Sequence, residues 1–401
     1  MGSEQIQVSA PVPRAARLAV AVYFFLIGVI FASWAVRIPA VQTRLGLSPG
    51  ELGIALLGTA IGELVSMNLA GYLAARFGSR SLTVTASVCL SIMLPMLALA
   101  SSLPVLVATL VLFGASFGAV NVAMNTQGVA VERRYGRSIF SSFHACYSIG
   151  WLIGSLVGGL VAARNIAPLP HFLGIAFVAI ILTLSLTRFL LPAHTDAQGA
   201  GVAFARFTPT LLALGLVAFC VLLGEGAMAD WSAVYLHTAL NAGAGLAAAG
   251  YAAFSVVMAV GRGLGDLLTN RLGPEMMVRL GGLVAAAGLT LALVVAWIPL
   301  ALVGFGLVGA GFSVIFPLTL SATGRTTQQV SGTTIATVAL CGYVGFLAGP
   351  AAIGFSANVL NLRVALGIVV LLSLCAAAFA PVVGNGGKKR DEQARTQQRP
   401  S

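Results

Sequence analysis

Runs of about 20 apolar residues recur from one end of this 401-residue chain to the other. A hydrocarbon core of about 30 Å is crossed by about 20 residues of α-helix, so each run is long enough to span a bilayer. Only 8% of the residues are charged, against about 25% in soluble domains. A soluble fold needs a polar exterior that this composition cannot supply. The sequence therefore predicts an all-α protein embedded in lipid.

Twelve such segments can be delimited, with short loops between them. They are residues 17–37, 51–74, 81–101, 104–127, 139–163, 170–191, 209–236, 246–269, 277–296, 299–322, 330–356 and 363–383. The first is too long for a signal peptide, and many spans follow it, so we assign it as a helix. The longest polar break divides the chain near its midpoint. We expect a cytoplasmic tail at 1–14, a six-helix half at 15–191, a cytoplasmic linker at 192–208, a second six-helix half at 209–383 and a disordered tail at 384–401.

The placement of the positive charges predicts the orientation. With twelve spans both termini lie on one side; 17 of the 22 Lys and Arg residues fall there, 4 fall on the other side, and Arg262 lies inside a span. The positive-inside rule places both termini in the cytoplasm of a multi-pass protein of the cell membrane. Because the basic residues are scattered over loops without interleaved aromatic residues, no nucleic-acid partner is expected.

A constant offset of 195 residues relates the two halves of the chain. Gly114 corresponds to Gly309 at this offset, and Gly159 corresponds to Gly354. A single pair of identical residues is expected by chance in a glycine-rich chain. Several pairs with the same offset, on both sides of several loops, indicate a repeat. The sequence predicts twelve transmembrane helices in two parallel-repeat six-helix bundles, related by an axis along the membrane normal.

Two loop sequences carry a resemblance to a known family. Residues 71–80, GYLAARFGSR, resemble the loop signature between helices two and three of the major facilitator superfamily of transporters, and residues 265–273 resemble its second copy. The resemblance covers about residues 15–383. It implies a secondary transporter that works by alternating access and binds its substrate near the midplane, between the halves.

Shorter motifs resemble one branch of that superfamily. Residues 33–39, SWAVRIP, residues 124–127, MNTQ, residues 141–144, SSFH, and Glu225 with Asp230 resemble the MosC-like branch. That branch is associated with rhizopine metabolism and is similar to sugar permeases. The resemblance implies a small polar substrate such as a sugar, a cyclitol or an amino-sugar.

The loop signatures also imply a cytoplasmic gate. Its candidate residues are Gly71, Arg76, Gly78, Arg80, Arg262, Asp266, Arg271 and Gly273. Glycines let helix ends approach closely, and an arginine there can bind helix-terminal carbonyls or a neighbouring acid. The family pattern has an acid directly before the arginine. This chain has Ala75 and Asn270 at those two positions, so Asp266 is the candidate to replace the missing acid. The alternative is that these arginines only anchor cytoplasmic loops.

Acids inside the apolar segments are candidates for proton coupling. Glu63, Glu225 and Asp230 lie within spans, where a charged residue costs about 2.5–3.5 kcal/mol and is functional by default. Low dielectric disfavours the ionised carboxylate, so such a group can bind and release a proton near neutral pH. Glu225 is the first choice; the alternative is a neutral carboxyl hydrogen-bonded between helices. His144, near a cytoplasmic helix end, is a candidate proton relay, with helix-end hydrogen bonding as its alternative.

Six polar or aromatic residues are candidates for substrate binding: Trp34, Arg37, Asn121, Asn125, Gln127 and Trp231. The two asparagines lie one helical turn apart, and amides suit hydroxylated solutes because they both donate and accept hydrogen bonds. The indoles can stack on a sugar face or sit in an interfacial belt. Arg37 has three alternative roles: it pairs with Asp230, it binds an anionic substrate, or it extends to the membrane surface.

The remaining patterns bear on other classes of function. The five cysteines lie in apolar runs without CxxC spacing or histidine partners, so no metal or cofactor is expected. Neither a GxxxxGK[ST] phosphate loop nor an enzymatic motif is present in the sequence. We expect a monomeric secondary transporter of a small polar solute, coupled to protons. The alternatives are an efflux pump for drugs or hydrophobic metabolites and a membrane sensor that does not transport.

Overall fold

The computed structural model of the chain describes residues 14–135, 139–192, 208–326 and 332–384. These residues fold into α-helices joined by short loops. The helices are α1 (Arg14–Ala35), α2 (Ile38–Leu45), α3 (Pro49–Phe77), α4 (Ser79–Leu99), α5 (Leu103–Tyr135), α6 (Phe140–Ala163), α7 (Pro168–Leu186), α8 (Pro209–Ala239), α9 (Ala244–Leu272), α10 (Pro274–Val295), α11 (Ile298–Phe312), α12 (Ile315–Thr326), α13 (Gly332–Val359) and α14 (Leu362–Ala378). The predicted tails and linker lie almost entirely outside the described residues.

Twelve hydrophobic spans are present in the described part of the chain. Eleven helical segments are long and apolar enough to cross a membrane, and α14 is a shorter one of 17 residues. Helices α1 and α2 form the first span together, and α11 and α12 form the tenth. The predicted all-α fold of twelve spans is confirmed. Helix ends differ from the hydropathy limits: α5, for example, continues to Tyr135, because helical hydrogen bonding does not stop where the apolar sequence ends.

Prolines explain why two of the spans are divided. Pro39 lies in the first turn of α2 and Pro317 in the first turn of α12. A proline has no amide hydrogen for the carbonyl four residues earlier, and its ring clashes with that carbonyl. The carbonyls concerned belong to Ala35, the last residue of α1, and Ser313, which directly follows α11. Both divisions therefore fall where the sequence removes a helical hydrogen bond.

The helices pack as two bundles, α1–α7 and α8–α14. In the first bundle α3 packs against α5, α1 against α6, and α4 against α5 and α7. In the second, α13 packs against α8, α11 against α9 and α10, and α14 against α8 and α10.

One close contact between two helices recurs in both bundles. A Cβ added at Gly114 would collide with the backbone oxygen of Thr59, and one added at Gly309 would collide with that of Phe254. Both pairs obey the 195-residue offset, so the predicted parallel repeat is confirmed.

The bundles meet through α3 with α13 and through α6 with α9. We call the end of the molecule where α1 begins the terminal face, and the end where α3 begins the opposite face. At the opposite face the Cα of Gly354 lies 3.0 Å from a Cβ placed on Gly53, and the Cβ of Ala248 lies 3.2 Å from one placed on Gly159. At an offset of 195 residues Gly53 corresponds to Ala248, and Gly159 corresponds to Gly354. The two contacts are therefore equivalent under the repeat.

Candidate functional site

A cavity of about 670 Å³ lies between the two bundles. The first bundle contributes the first half of α6, and the second contributes α9 and the junction of α11 and α12. Its polar lining consists of His144, Ser148, Ser255, Arg262, Thr269 and Ser313. Because α6 starts and α9 ends at the terminal face, the cavity extends from that side to the middle of both helices. The glycine contacts close the other end.

An ion pair joins two helices beside this cavity. A guanidinium nitrogen of Arg262 on α9 lies 3.4 Å from a carboxylate oxygen of Glu225 on α8, with side-chain exposures of 44% and 16%. Its distance is long for a charged hydrogen bond, and the guanidinium is more exposed than the carboxylate. The other oxygen of Glu225 is buried and has no hydrogen-bond partner among the described residues. The contact is therefore weak and leaves Glu225 with an unused acceptor.

Aromatic side chains connect the bundles at the level where the cavity ends. The rings of Trp151 on α6 and Tyr251 on α9 lie 4.7 Å apart, centroid to centroid. Phe31 on α1 contacts the same indole at 5.1 Å, and Tyr147 contacts it edge-on at 6.2 Å. Such pairs are favourable beyond the area they bury. They form an apolar and π-rich layer across the centre of the molecule.

Glu63 lies on α3 in the first bundle and is half-buried. Its backbone contacts α5 at Gly118, where a Cβ would lie 2.7 Å from the Glu63 carbonyl oxygen. Tyr147 is close enough to interact electrostatically with both Glu63 and Arg262, and Tyr343 on α13 interacts with Glu63 as well. Tyr147 therefore lies near both the acid of the first bundle and the ion pair of the second.

The other proton-coupling candidates are placed differently. His144 lines the cavity one turn into α6, contacts the ring of Phe24 at 5.2 Å, and interacts electrostatically with Arg262. Asp230 is buried on α8 and forms neither of the two ion pairs among the described residues. The predicted pairing of Asp230 with Arg37 is not formed, since Arg37 donates instead to the backbone oxygen of Ile166.

The substrate-binding candidates do not gather at the cavity wall. Trp34 and Trp231 are fully buried in the core. Asn125 donates to the backbone and side-chain oxygens of Asn121, at 2.7 and 2.6 Å, so this pair shares one face of α5. Gln127 is completely buried. Its amide donates to the hydroxyl of Ser79 at 2.7 Å and exchanges two bonds of 2.9 Å with the backbone of Leu191.

The loop signatures form the predicted turns at the terminal face. Gly78 and Gly273 adopt φ values of 85° and 81°, which L side chains rarely adopt, so glycine is required between α3 and α4 and between α9 and α10. Arg76 donates to the hydroxyl of Tyr72 at 2.9 Å within its own helix. Arg80 lies in the first turn of α4, and Arg271 lies in the last turn of α9. The side chain of Asp266 lies outside the described part of the chain. Gly71 meets no described atom within 4 Å of an added Cβ.

Sequence reasoning missed the central aromatic residues. Trp151 and Tyr147 are one turn apart on α6, and Tyr251 faces them from α9. The i, i+4 spacing of two aromatic residues in a helix that also carries His144 was the available signal. Partners from different bundles have no local sequence signature, so Tyr251 and Tyr343 had none.

Twelve spans in two repeated bundles, with a cavity between them, define a membrane transporter. A family model described as Major Facilitator Superfamily matches residues 18–350, and the chain belongs to that superfamily. It is 36% identical over 362 residues to an uncharacterized MFS-type transporter of Yersinia pestis, covering 90% of this chain and 94% of that protein. It is 32% identical over 370 residues to the membrane protein MosC of Rhizobium meliloti, covering 90% and 89%.

Solved structures agree on the fold. A bacterial homologue of the human lysosomal transporter Spinster, in an inward-facing and occupied conformation, superposes with a TM-score of 0.79 at 16% identity, over 94% of this chain and 98% of that one. The D-xylose-proton symporter superposes with a TM-score of 0.70 at 14% identity, over 92% and 97%. Because the superfamily and the relative from Yersinia pestis are transporters, the chain is a transporter rather than an enzyme.

Proposed function

We propose that this protein moves a small polar solute, such as a sugar, a cyclitol or an amino-sugar, by alternating access coupled to protons. It works as a monomer in the cell membrane with both termini in the cytoplasm. In that orientation the cavity faces the cytoplasm. The 17-to-4 distribution of basic residues supports this sidedness, and the closed glycine contacts at the opposite face support an inward-facing state.

The observation that carries the proposal is the ion pair of Glu225 and Arg262 beside the cavity. A solute hydroxyl that accepts from Arg262, which lines the cavity, competes with the pair. Protonation of Glu225 removes the attraction altogether. Solute and proton thus act on the same weak contact, which is what coupling requires. Glu63, Asp230 and His144 remain the other candidates for the proton carrier, and Asn121 with Asn125 the candidates for further solute contacts.

At the terminal face we propose that the loop signatures act as the cytoplasmic gate. Both copies place an arginine beside a turn that only glycine adopts readily. The gate residues of the two bundles approach one another when the cavity closes on this side. Asp266 is the acid available to Arg262 or Arg271 in that state.

Transport by purified protein in proteoliposomes tests the proposal. A pH gradient is imposed, and uptake of radiolabelled sugars, cyclitols and amino-sugars is compared with uptake into protein-free vesicles. We expect one class to accumulate, and accumulation to collapse when a protonophore is added. Correctly folded protein that moves none of these solutes, with or without a gradient, contradicts the proposal.

One observation favours a second candidate, an efflux pump for drugs or hydrophobic metabolites. Most of the cavity wall is aliphatic, including Ile149, Leu152, Val256 and Val314. Neither Asn121 nor Asn125 belongs to it. Adding lipophilic cations to the same vesicle assay distinguishes the two, since a pump of this kind transports them and leaves sugars behind.

A further inference from the structure

Arg37 is a buried cation that no described acid neutralises. It lies in the turn between α1 and α2, at the opposite face, and is only 4% exposed. The ion pairs among the described residues are formed by other arginines. Its Nη2 donates to the backbone oxygen of Ile166, and its Nε has no hydrogen-bond partner in the described structure. Burying a charge without an opposite charge is far more costly than burying a hydrogen-bonded neutral group.

His171 lies beside this guanidinium with unused hydrogen-bonding capacity. It is 6% exposed, and both ring nitrogens are buried without a partner among the described residues. It interacts electrostatically with Arg37. A Cβ placed on Gly158 of α6 would lie 3.4 Å from the imidazole and would also collide with Val36, so the turn between α1 and α2, helix α6 and helix α7 converge here. One ring nitrogen of a neutral imidazole always carries a hydrogen and can donate it.

The start of α7 supplies a further donor at the same place. The helix begins at Pro168, directly after the segment whose Ile166 carbonyl binds Arg37. Its N-cap residue, Ala167, provides no side-chain cap. The first amides of a helix lack intrahelical partners, and the helix dipole makes this end electropositive. Pro168 and Pro170 carry no amide hydrogen, so Leu169 supplies the free N–H. His171 lies in the same first turn.

We propose that Arg37, His171 and the first turn of α7 form a binding site for a small inorganic monoanion such as chloride. The anion accepts from the Nε of Arg37, from a ring nitrogen of His171 and from the amide of Leu169. It neutralises the buried guanidinium, which a water molecule in the same position cannot do. The Nε of Arg37 and both ring nitrogens of His171 are fully buried, so the occupant is a small ion. The site lies within the first bundle, away from the cavity, and is independent of the transported solute.

Anion-dependent stability of the full-length protein in detergent tests the site. The apparent Tm is measured while sodium chloride replaces sodium gluconate at constant ionic strength. We expect a saturable rise of at least about 2 °C, because a ligand that binds only the folded state stabilises it. Arg37→Met abolishes the rise, and Arg37→Lys keeps the charge and retains a weaker response. Arg164→Met, which removes an exposed arginine at the same face, keeps the full response.

A second measurement does not depend on any variant folding. Excess line broadening of the ³⁵Cl NMR signal by wild-type protein, reversed by bromide, is expected if chloride exchanges at the site. Equal Tm values in chloride and gluconate, or a full chloride response in Arg37→Met, overturn the proposal. So does a Tm rise caused by phosphatidylglycerol but not by chloride, because the occupant is then a lipid phosphate.

Discussion

Buried polar side chains in this protein fall into two groups according to whether their hydrogen bonds are complete. In a membrane an unmade hydrogen bond has no water to replace it. Gln127 satisfies its amide entirely with protein groups, which is what a structural role requires. Glu225 and Arg37 each retain a buried atom without a described partner. Residues of the second kind are those at which a solute, a proton or an ion can bind.

Replacing Gln127 with alanine is expected to lower stability and spare transport. It leaves the amide and carbonyl of Leu191 unpaired in the core, a loss of about 1–3 kcal/mol. The apparent Tm should fall by several degrees. Thr126→Ala is the matched control, because that hydroxyl donates to Val122 within its own helix. Transport lost at unchanged Tm would instead make Gln127 a residue of the solute site.

Replacing Glu225 with glutamine is expected to uncouple transport. Glutamine preserves the shape and can still accept from Arg262, but it cannot release a proton. Solute should equilibrate across the vesicle membrane and no longer accumulate against its gradient. Glu275→Gln, which removes the acid of the exposed ion pair with Arg279, should accumulate normally. Uphill accumulation by the Glu225→Gln variant rules this residue out as the proton carrier.

At the scale of the helices, the sequence predicted more of the fold than of the site. Segment length and the 195-residue register predicted twelve spans and the repeat, because both follow from one-dimensional spacing. The divisions at Pro39 and Pro317 also had a local signal in the prolines themselves. The wall of the cavity had none, since Trp151 and Tyr251 meet only after two distant helices have packed.

Arg44 shows a dependence between elements that hydropathy does not reveal. It lies at the end of α2 and donates to the last carbonyls of α4, among them Ala98 and, at 2.8 Å, Ala100. These carbonyls have no partners within their own helix. A positive charge at a helix C-terminus also interacts favourably with the helix dipole. One side chain on α2 thereby completes the end of a helix more than 50 residues away.

Substituting Arg44 with methionine is expected to destabilise the first bundle. The change retains much of the aliphatic volume and removes the donors, leaving several carbonyls unpaired at a cost of about 1–3 kcal/mol for each buried group. A clear decrease in apparent Tm should follow, and Arg44→Lys should recover part of it. Arg164→Met serves as a control at the same face. A wild-type Tm for Arg44→Met would show that water satisfies the end of α4 equally well.

For the molecule as a whole, the repeat gives two equivalent contacts that close one face. Gly53 with Gly354 and Gly159 with Ala248 are interchanged by the offset between the bundles. A rocking motion that opens the opposite face must separate both. Because each contact brings backbone against backbone or methyl group, side-chain bulk at either one acts directly on the balance between the two states.

Gly159→Val is therefore expected to shift the population toward the state open at the opposite face. The added methyl groups meet α9 at Gly245 and Ala248, and overpacking of this kind costs about 1–3 kcal/mol. That energy changes the ratio of the two states by about 5- to 150-fold. The change is measured by double electron–electron resonance between spin labels at Arg164 and Leu360, which are exposed residues of different bundles. The labels are introduced in a variant without the native cysteines, and we expect longer distances between them.

Gly174→Val, where an added Cβ meets no described atom within 4 Å, is the control and should leave the distances unchanged. Equal distance distributions for the two valine variants would mean that this contact does not govern closure.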